Sequence, residues 1–281
     1  MGLHSQPGVV TNITADELRD YMKHHGESEY QLVDVRERPE YRQHHIPGAQ
    51  LIPLSEIESR QPQVRQLKGR NAVFYCRSGG RSLRAATWAS QVVQLERVYN
   101  LVGGLSSWQG ASLPEFPRFK AMDLSGGLDS LLHQALDIEK GTHALYELLL
   151  DQYAQGPVAV VVRALSEAEI AHARLVHGLL SATAESPLAG FEEMFDACPG
   201  KLVEGGESFV ELVDRAKALA EEGDIALLEF ALQIELSAYD LYKSLASMTT
   251  SEIAQGALLD LAQQEKRHSQ QVLEAIASIT P

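Results

Sequence analysis

With 281 residues, 44% of them hydrophobic, the chain is long enough for two domains of ordinary size and apolar enough to give each a core. Its formal charge of -14 is lopsided: residues 1–118 hold 14 Lys/Arg against 12 Asp/Glu, which leaves 10 against 26 for the remainder. No broad basic face is therefore expected to neutralise phosphates, which argues against nucleic-acid binding.

The first part alternates short β-branched runs with helical stretches, the pattern of an α/β domain with a largely parallel sheet. Its expected strands are GVVTNI, QLVDV, AQLIPL, NAVFYC and RVYNLV. Helices are expected near 15–25 and 81–93, the first opened by Thr14 with Glu17 three residues on, a capping-box spacing. Pro114, Pro117 and the turn LSGG at 124–127 then punctuate the chain, so the domains are drawn as 1–118 and 128–281 with a linker at 119–127. Beyond it the β signal vanishes, and helical periodicity runs over about 128–154, 158–183, 224–248 and 251–278, an all-α four-helix bundle. Some forty residues, with a short helical piece at 208–221, link its second and third helices. The longest apolar runs, such as PVAVVV at 157–162, fall far short of the roughly 20 residues of a membrane span. The start MGLHSQPGVV lacks the charged and apolar regions of a signal peptide, and two cysteines are too few for a disulfide framework. A cytoplasmic protein without a membrane partner is expected.

FYCRSGGRS sets Cys76 at the end of a strand and just before a helix. A lone cysteine is often a small buried hydrophobe. Here Gly79 and Gly80 let the loop turn tightly, successive amides of Arg77, Ser78, Gly79, Gly80 and Arg81 can converge on the sulfur, and the two arginines lie within one turn. A helix N-terminus and arginines both favour thiolate, the form a nucleophilic cysteine needs. The segments LVDVRERPEYRQHHIPGAQLIPL, CRSGGR and LVGGLSSW resemble those of a single rhodanese domain. That resemblance implies that Cys76 takes a sulfane sulfur from a donor, holds it as a persulfide among loop amides and hands it to a thiol acceptor, with Asp34 and Arg36 bracing the loop. Cys198, beside Pro199 and Gly200, is read as structural, with a relay thiol as the alternative.

ALDIEKGTHALY at 135–146 returns 96 residues later as ALQIELSAYDLY. The Glu-x-x-His pairs Glu169/His172 and Glu265/His268 each begin 30 residues after the Glu of one copy, Glu139 and Glu235. Residues three apart share a helix face, so the spacing offers four carboxylates and two imidazoles on four helices. Bare carboxylates in a core would repel and lose their hydration, so they either face water or hold cations. Glu139 and Glu235 sit among Leu136, Ile138 and Leu145, and Leu232, Ile234 and Leu241, which favours the core, and two divalent cations would cancel four charges.

Residues 128–280 resemble the rubrerythrin and erythrin branch of the ferritin-like di-iron carboxylate proteins. By that resemblance Glu169 and Glu265 bridge two iron ions, with manganese as the alternative, His172 and His268 each cap one, and Glu139 and Glu235 are terminal ligands. Tyr146 and Tyr242 are then hydrogen-bond donors to the ligands, or else core aromatics. Two departures stand out: Ala238 occupies the position one turn after Glu235 where the branch usually has a carboxylate, and no Cys-x-x-Cys pair is present to hold a further iron. An external electron donor is therefore required. The whole reads as a sulfurtransferase fused to a di-iron peroxidase or oxidase of sulfur or oxidative-stress metabolism. The alternatives are a sulfur and iron carrier or assembly protein without turnover, and a bundle that serves as a homodimerisation module.

Overall fold

The computed structural model describes residues 9–114, 127–153, 155–184, 186–204 and 206–279. The chain divides into two compact units at Glu115/Phe116. The expected linker lies, apart from Gly127, outside the described residues.

In the first unit, β1 (Val10–Ile13), β2 (Tyr30–Asp34), β3 (Gln50–Leu51), β4 (Asn71–Tyr75) and β5 (Val98–Leu101) form one sheet in the order β1-β5-β4-β2-β3. Every pairing is parallel. Strands β2, β4 and β5 are buried along their whole length, as expected of a parallel sheet covered on both faces. Helices α1 (Ala15–His24), α2 (Arg38–Gln43), α3 (Gln61–Arg65) and α4 (Gly80–Gln91) connect them. Thr14 and Glu17 do form a reciprocal cap: the Thr14 amide donates to Glu17 Oε2 at 2.9 Å, and the Glu17 amide donates to Thr14 Oγ1 at 3.3 Å. The stretch AQLIPL yields only two strand residues before a 3-10 turn at Leu54–Glu56, because Pro53 has no N–H to continue the ladder. Helix α2 was hidden in the loop sequence ERPEYRQ; Pro39 in its first turn and the Glu37 amide donating to Glu40 Oε2 at 3.1 Å explain its start. The centre of the sheet is β4, and its C-terminal end delivers Cys76 to the crevice edge where open α/β sheets place their ligands.

The second unit is built on α5 (Gly127–Gln152), α6 (Gly156–Thr183), α9 (Asp224–Met248) and α10 (Glu252–Ile279). Between the second and third of these run α7 (Phe191–Ala197), a small antiparallel hairpin of β6 (Leu202–Val203) and β7 (Glu207–Ser208), and α8 (Phe209–Glu222). Helix α5 packs along α6, α9 packs along α10, and α6 touches both α9 and α10. The buried positions of α5 include Leu132, Ala135, Leu136, Glu139, Thr142, Leu145, Tyr146 and Leu149, a stripe at three- and four-residue spacing on which Glu139 takes a core place. Two apolar clusters result. One gathers Leu132, Leu136, Val176, Leu180, Leu245 and Leu258; the other gathers Leu145, Leu149, Val158, Leu165, Leu228 and Val272. Among the described residues no helix is long and apolar enough to cross a membrane.

Candidate functional sites

Cys76 follows β4 directly and is 1% exposed. Gly79 caps α4 with φ of +95°, a left-handed conformation that turns its amide back to donate to Cys76 Sγ at 3.1 Å. The hydroxyl of Ser82, one turn into α4, lies 3.5 Å from Sγ, 3.0 Å from the Gly79 carbonyl oxygen and 2.7 Å from Asn100 Oδ1. It has one proton to share among them. Burial acts to raise the thiol's pKa, but the Ser82 hydroxyl and the amides of Ser82, Ser78 and Gly79 outweigh it and hold Cys76 below its ordinary value.

A second segment fixes the loop from behind. The amides of Leu105 and Ser106 donate to the carbonyl oxygens of Cys76 and Arg77 at 2.7 and 2.9 Å, which turns those oxygens away from the sulfur. Gly104, at φ of +56°, permits this: a Cβ there would overlap the Cys76 carbonyl oxygen and lie 2.8 Å from the Arg77 carbonyl carbon. The Gly-Gly of LVGGLSSW thus serves close backbone approach.

The arginines act otherwise than the loop sequence suggests. Arg81 forks onto Glu40, with bonds of 2.7 and 2.6 Å, and holds that carboxyl at about 2. Its own pKa rises through that same bond, with a smaller contribution from the charge of Cys76. Arg77, Ser78 and Gly80 are exposed at the loop surface. Asp34 and Arg36 form a buried pair 2.6 Å apart, and Arg36 also donates to the His44 carbonyl oxygen at 2.7 Å. The pair stands at the end of β2, where Asp34 is in register with Tyr75 and the Val35 amide donates to the Tyr75 carbonyl oxygen at 3.0 Å. It therefore secures the strand end from which Cys76 departs. Ser82, Asn100 and Glu40 were not singled out from sequence; only Asn100, a polar residue inside the apolar strand VYNL, carried a signal.

Cys198 shows the opposite environment. It caps α7 half-buried, and burial followed by the charge of Asp137 pushes its thiol up.

In the second unit all six side chains at the repeated spacing meet in one buried cluster. Glu139, Glu169, His172, Glu235 and Glu265 are fully buried, and His268 is nearly so. His172 Nδ1 lies 2.7 Å from Glu265 Oε1, 3.7 Å from Glu169 Oε2 and 3.8 Å from Glu139 Oε2. His268 Nδ1 lies 3.3 Å from both Glu235 Oε2 and Glu265 Oε2, and the two imidazoles stack at 5.2 Å. Tyr146 crosses from one half of the repeat to donate to Glu235 Oε1.

Two trios, Glu139/Glu169/His172 and His172/Glu265/His268, each bring ligand atoms within 4.8 Å of one another among the described residues. The donor set could hold a cation: both oxygens of Glu139 and Glu169 and Nε2 of His172 are buried without a hydrogen-bond partner. Burial, then the charge of Glu169, drives Glu139 well up, and burial drives Glu235 to about 8. Burial opposes charge on Glu265 as well, but His172 and His268 hold it at about 2. For the imidazoles burial lowers the pKa; the charge of Glu265 reverses this at His172, to about 12, and the Glu235 and Glu265 bonds reverse it at His268, to about 10.

The sequence reading missed Glu204. It is 2% exposed, neither of its oxygens has a partner, and burial followed by the charges of Glu169, Glu265, Glu139 and Glu235 drives its carboxyl well up. Gly141, an isolated glycine inside the α5 pattern, was the available signal, since such a glycine often marks close packing.

A family profile described as the rhodanese-like domain matches residues 14–111. An uncharacterized protein of Bacillus subtilis is 36% identical over 105 residues, covering 37% of this chain and 77% of that protein. A protein named sulfurtransferase from Allochromatium vinosum is 40% identical over 83 residues, 30% of this chain and 75% of its own length. A probable adenylyltransferase/sulfurtransferase of Mycobacterium tuberculosis is 35% identical over 111 residues, 40% of this chain but only 28% of its own length.

Proposed function

The chain belongs to the rhodanese-like domain family through its residues 14–111, and from that premise we propose that it is a sulfurtransferase working through Cys76, joined to a di-iron oxidoreductase of the ferritin-like, rubrerythrin-related type. The observation that carries the first half is the donated Gly79 amide, 3.1 Å from a thiol held below its ordinary pKa. The Cys76 thiolate attacks the outer sulfur of a sulfane donor such as thiosulfate. The new S–S bond forms as the old one breaks, and the electron pair leaves with sulfite. The loop amides then stabilise the terminal anionic sulfur of the persulfide. An acceptor thiolate or cyanide attacks that terminal sulfur, takes it, and returns Cys76 as thiolate. A cytoplasmic setting, reducing enough to keep both thiols free, goes with this reading.

Cys76→Ser is expected to abolish both transfer to cyanide and the persulfide adduct seen by mass spectrometry, while Cys198→Ser keeps both. The reverse pattern would overturn the assignment.

The second half rests on the orphaned carboxylate oxygens and imidazole nitrogen of the buried cluster, which two cations would satisfy. Glu139, Glu169, His172, Glu235, Glu265 and His268 would hold them. A ferrous pair, when bound, supplies one electron from each ion for reduction of an O–O bond, and an external donor restores them. The chain's own contribution is to place oxygen and nitrogen ligands in a dry core, and to fix the orientation of Glu235 through the Tyr146 hydroxyl. About two metals per chain are expected after anaerobic reconstitution with ferrous iron. Glu169→Gln or Glu265→Gln should reduce that content, and an unchanged metal analysis would remove these residues from the ligand set.

A further inference from the structure

Glu204 has no place in the spacing argument, since it comes from neither copy of the repeat. Its backbone is nonetheless delivered to the cluster by three contacts along one face of α5. The Gly200 amide donates to Asp137 Oδ1 at 2.7 Å. The Leu202 carbonyl oxygen comes so close to Gly141 that any Cβ there would overlap it. The Glu204 amide donates to Thr142 Oγ1 at 3.2 Å, while the Thr142 hydroxyl donates to the Ile138 carbonyl oxygen at 3.0 Å and so keeps a lone pair free to accept. Asp137 and Gly141 lie one turn apart on α5, Thr142 follows directly, and the glycine among them is required by the close approach. The β6–β7 hairpin is thus seated on α5, and its connecting turn carries Glu204 inward.

The side chain that this docking buries is a carboxylate with two unpartnered oxygens, in the field of all four cluster glutamates. Burying such a group without a hydrogen bond or a counter-charge costs several kcal/mol in order of magnitude. Among the described residues neither oxygen meets a hydrogen-bond donor, and a metal would supply the missing partner. Glu204 also lines a shallow surface cleft with Glu207, Arg215, Phe230 and Gln233, the side from which an ion would reach it.

We propose that Glu204 is a further metal-ligating carboxylate of the buried centre, brought in by the crossover hairpin and closing the centre toward the cleft. The inference rests on the two-metal reading above. Glu204 belongs to neither compact trio of ligand atoms, so ligation requires its side chain to move towards them. A fifth carboxylate leaves the centre with one negative charge more than two divalent ions cancel, which suits retention of a more highly charged pair.

Cobalt(II), whose visible absorption reports coordination number, is the probe, titrated into the full-length apo protein against a competing chelator. Glu204→Gln is expected to weaken cobalt retention by about tenfold or more and to change the intensity of the visible bands. Glu211→Gln, at an exposed position of α8, should behave as wild type. Gly141→Ala keeps every carboxylate but lifts the hairpin, and is expected to reproduce the spectral change. Circular dichroism of apo Glu204→Gln should show wild-type helicity, since the amide matches the carboxyl in shape. If that variant proves unfolded, Gly141→Ala and Glu204→Asp carry the test, and a wild-type spectrum from both overturns the inference. Wild-type affinity and spectrum in folded Glu204→Gln overturn it while leaving the two-metal reading intact. A wild-type protein that takes up no cobalt overturns both.

Discussion

The two units bury polar chemistry in opposite ways. Around Cys76 the buried polar groups that hold the loop are paired: the sulfur accepts from Gly79, Ser82 reaches Asn100, and Asp34 holds Arg36. In the buried cluster both side-chain oxygens of Glu139, Glu169 and Glu204 and Nε2 of His172 have no hydrogen-bond partner. A satisfied site is complete as folded and can meet its substrate directly. An orphaned one stores an electrostatic deficit that something from outside must remove. On the proposed reading, geometry separates a site whose reagent is its own side chain from one whose reagent is an ion.

The largest effect expected from this contrast is on stability. Two-domain chains often unfold in separate steps. Loading with ferrous or manganous ion should raise the transition of the helical unit, by about 4 kcal/mol at roughly a thousandfold excess of free metal over its dissociation constant. The transition of the α/β unit should stay in place. Calorimetry with and without a chelator reads this, and equal shifts in both transitions would dissolve the contrast.

The next effect tests whether the cysteine site is held as tightly as its hydrogen bonds suggest. Gly104→Ala sets a methyl group against the Cys76 carbonyl oxygen and demands a left-handed backbone, which should cost about 1–3 kcal/mol. Sulfur transfer should fall with it, because the loop carbonyls must rotate. Gly69→Ala shares the positive φ but meets nothing within 4 Å, so it should cost about 1–2 kcal/mol from the backbone alone and leave transfer intact. Equal transfer rates in the two variants would mean that the segment behind the loop does not position it.

What could be read from sequence followed from local rules. The strands β1, β2, β4 and β5, the Thr14/Glu17 cap and the four long helices are legible because periodicity and caps act within a few residues. The meeting of six side chains in the cluster is legible because three-residue spacing fixes a helix face and the repeat supplies the partner helices. Ser82 and Glu40 were not legible. A serine one turn into a helix looks like any other, and Glu40 reaches Arg81 across 41 positions of sequence. Glu204 was less legible still, because its burial depends on a hairpin finding Thr142, 62 positions earlier. Sequence patterns report what one element buries; they do not report what a connection brings to it.

The smallest effect concerns the electrostatics of the satisfied site and has a definite sign. The Ser82 hydroxyl is the largest of the contributions that lower the Cys76 pKa, ahead of the amides of Ser82, Ser78 and Gly79, and together they overcome the raising effect of burial. Ser82→Ala removes the hydroxyl and keeps the amides, so the pKa should rise while the loop holds. Hydrogen bonds to charged groups are worth about 1.5–3 kcal/mol at good geometry. At 3.5 Å, and with Asn100 competing for the same proton, the effect should be smaller, a shift of up to about one pH unit. Alkylation of Cys76 by iodoacetamide, followed against pH in the Cys198→Ser background, measures it. The variant should react more slowly at neutral pH and converge on the parent at alkaline pH, where both are thiolate. Linkage gives a second reading of the same number. A thiol whose folded pKa lies below its unfolded value adds stability that grows as pH rises through the folded pKa and is complete above the unfolded one. The stability lost in Ser82→Ala should therefore be greater in alkaline than in neutral buffer, and a pH-independent loss would assign Ser82 to packing and not to the thiolate.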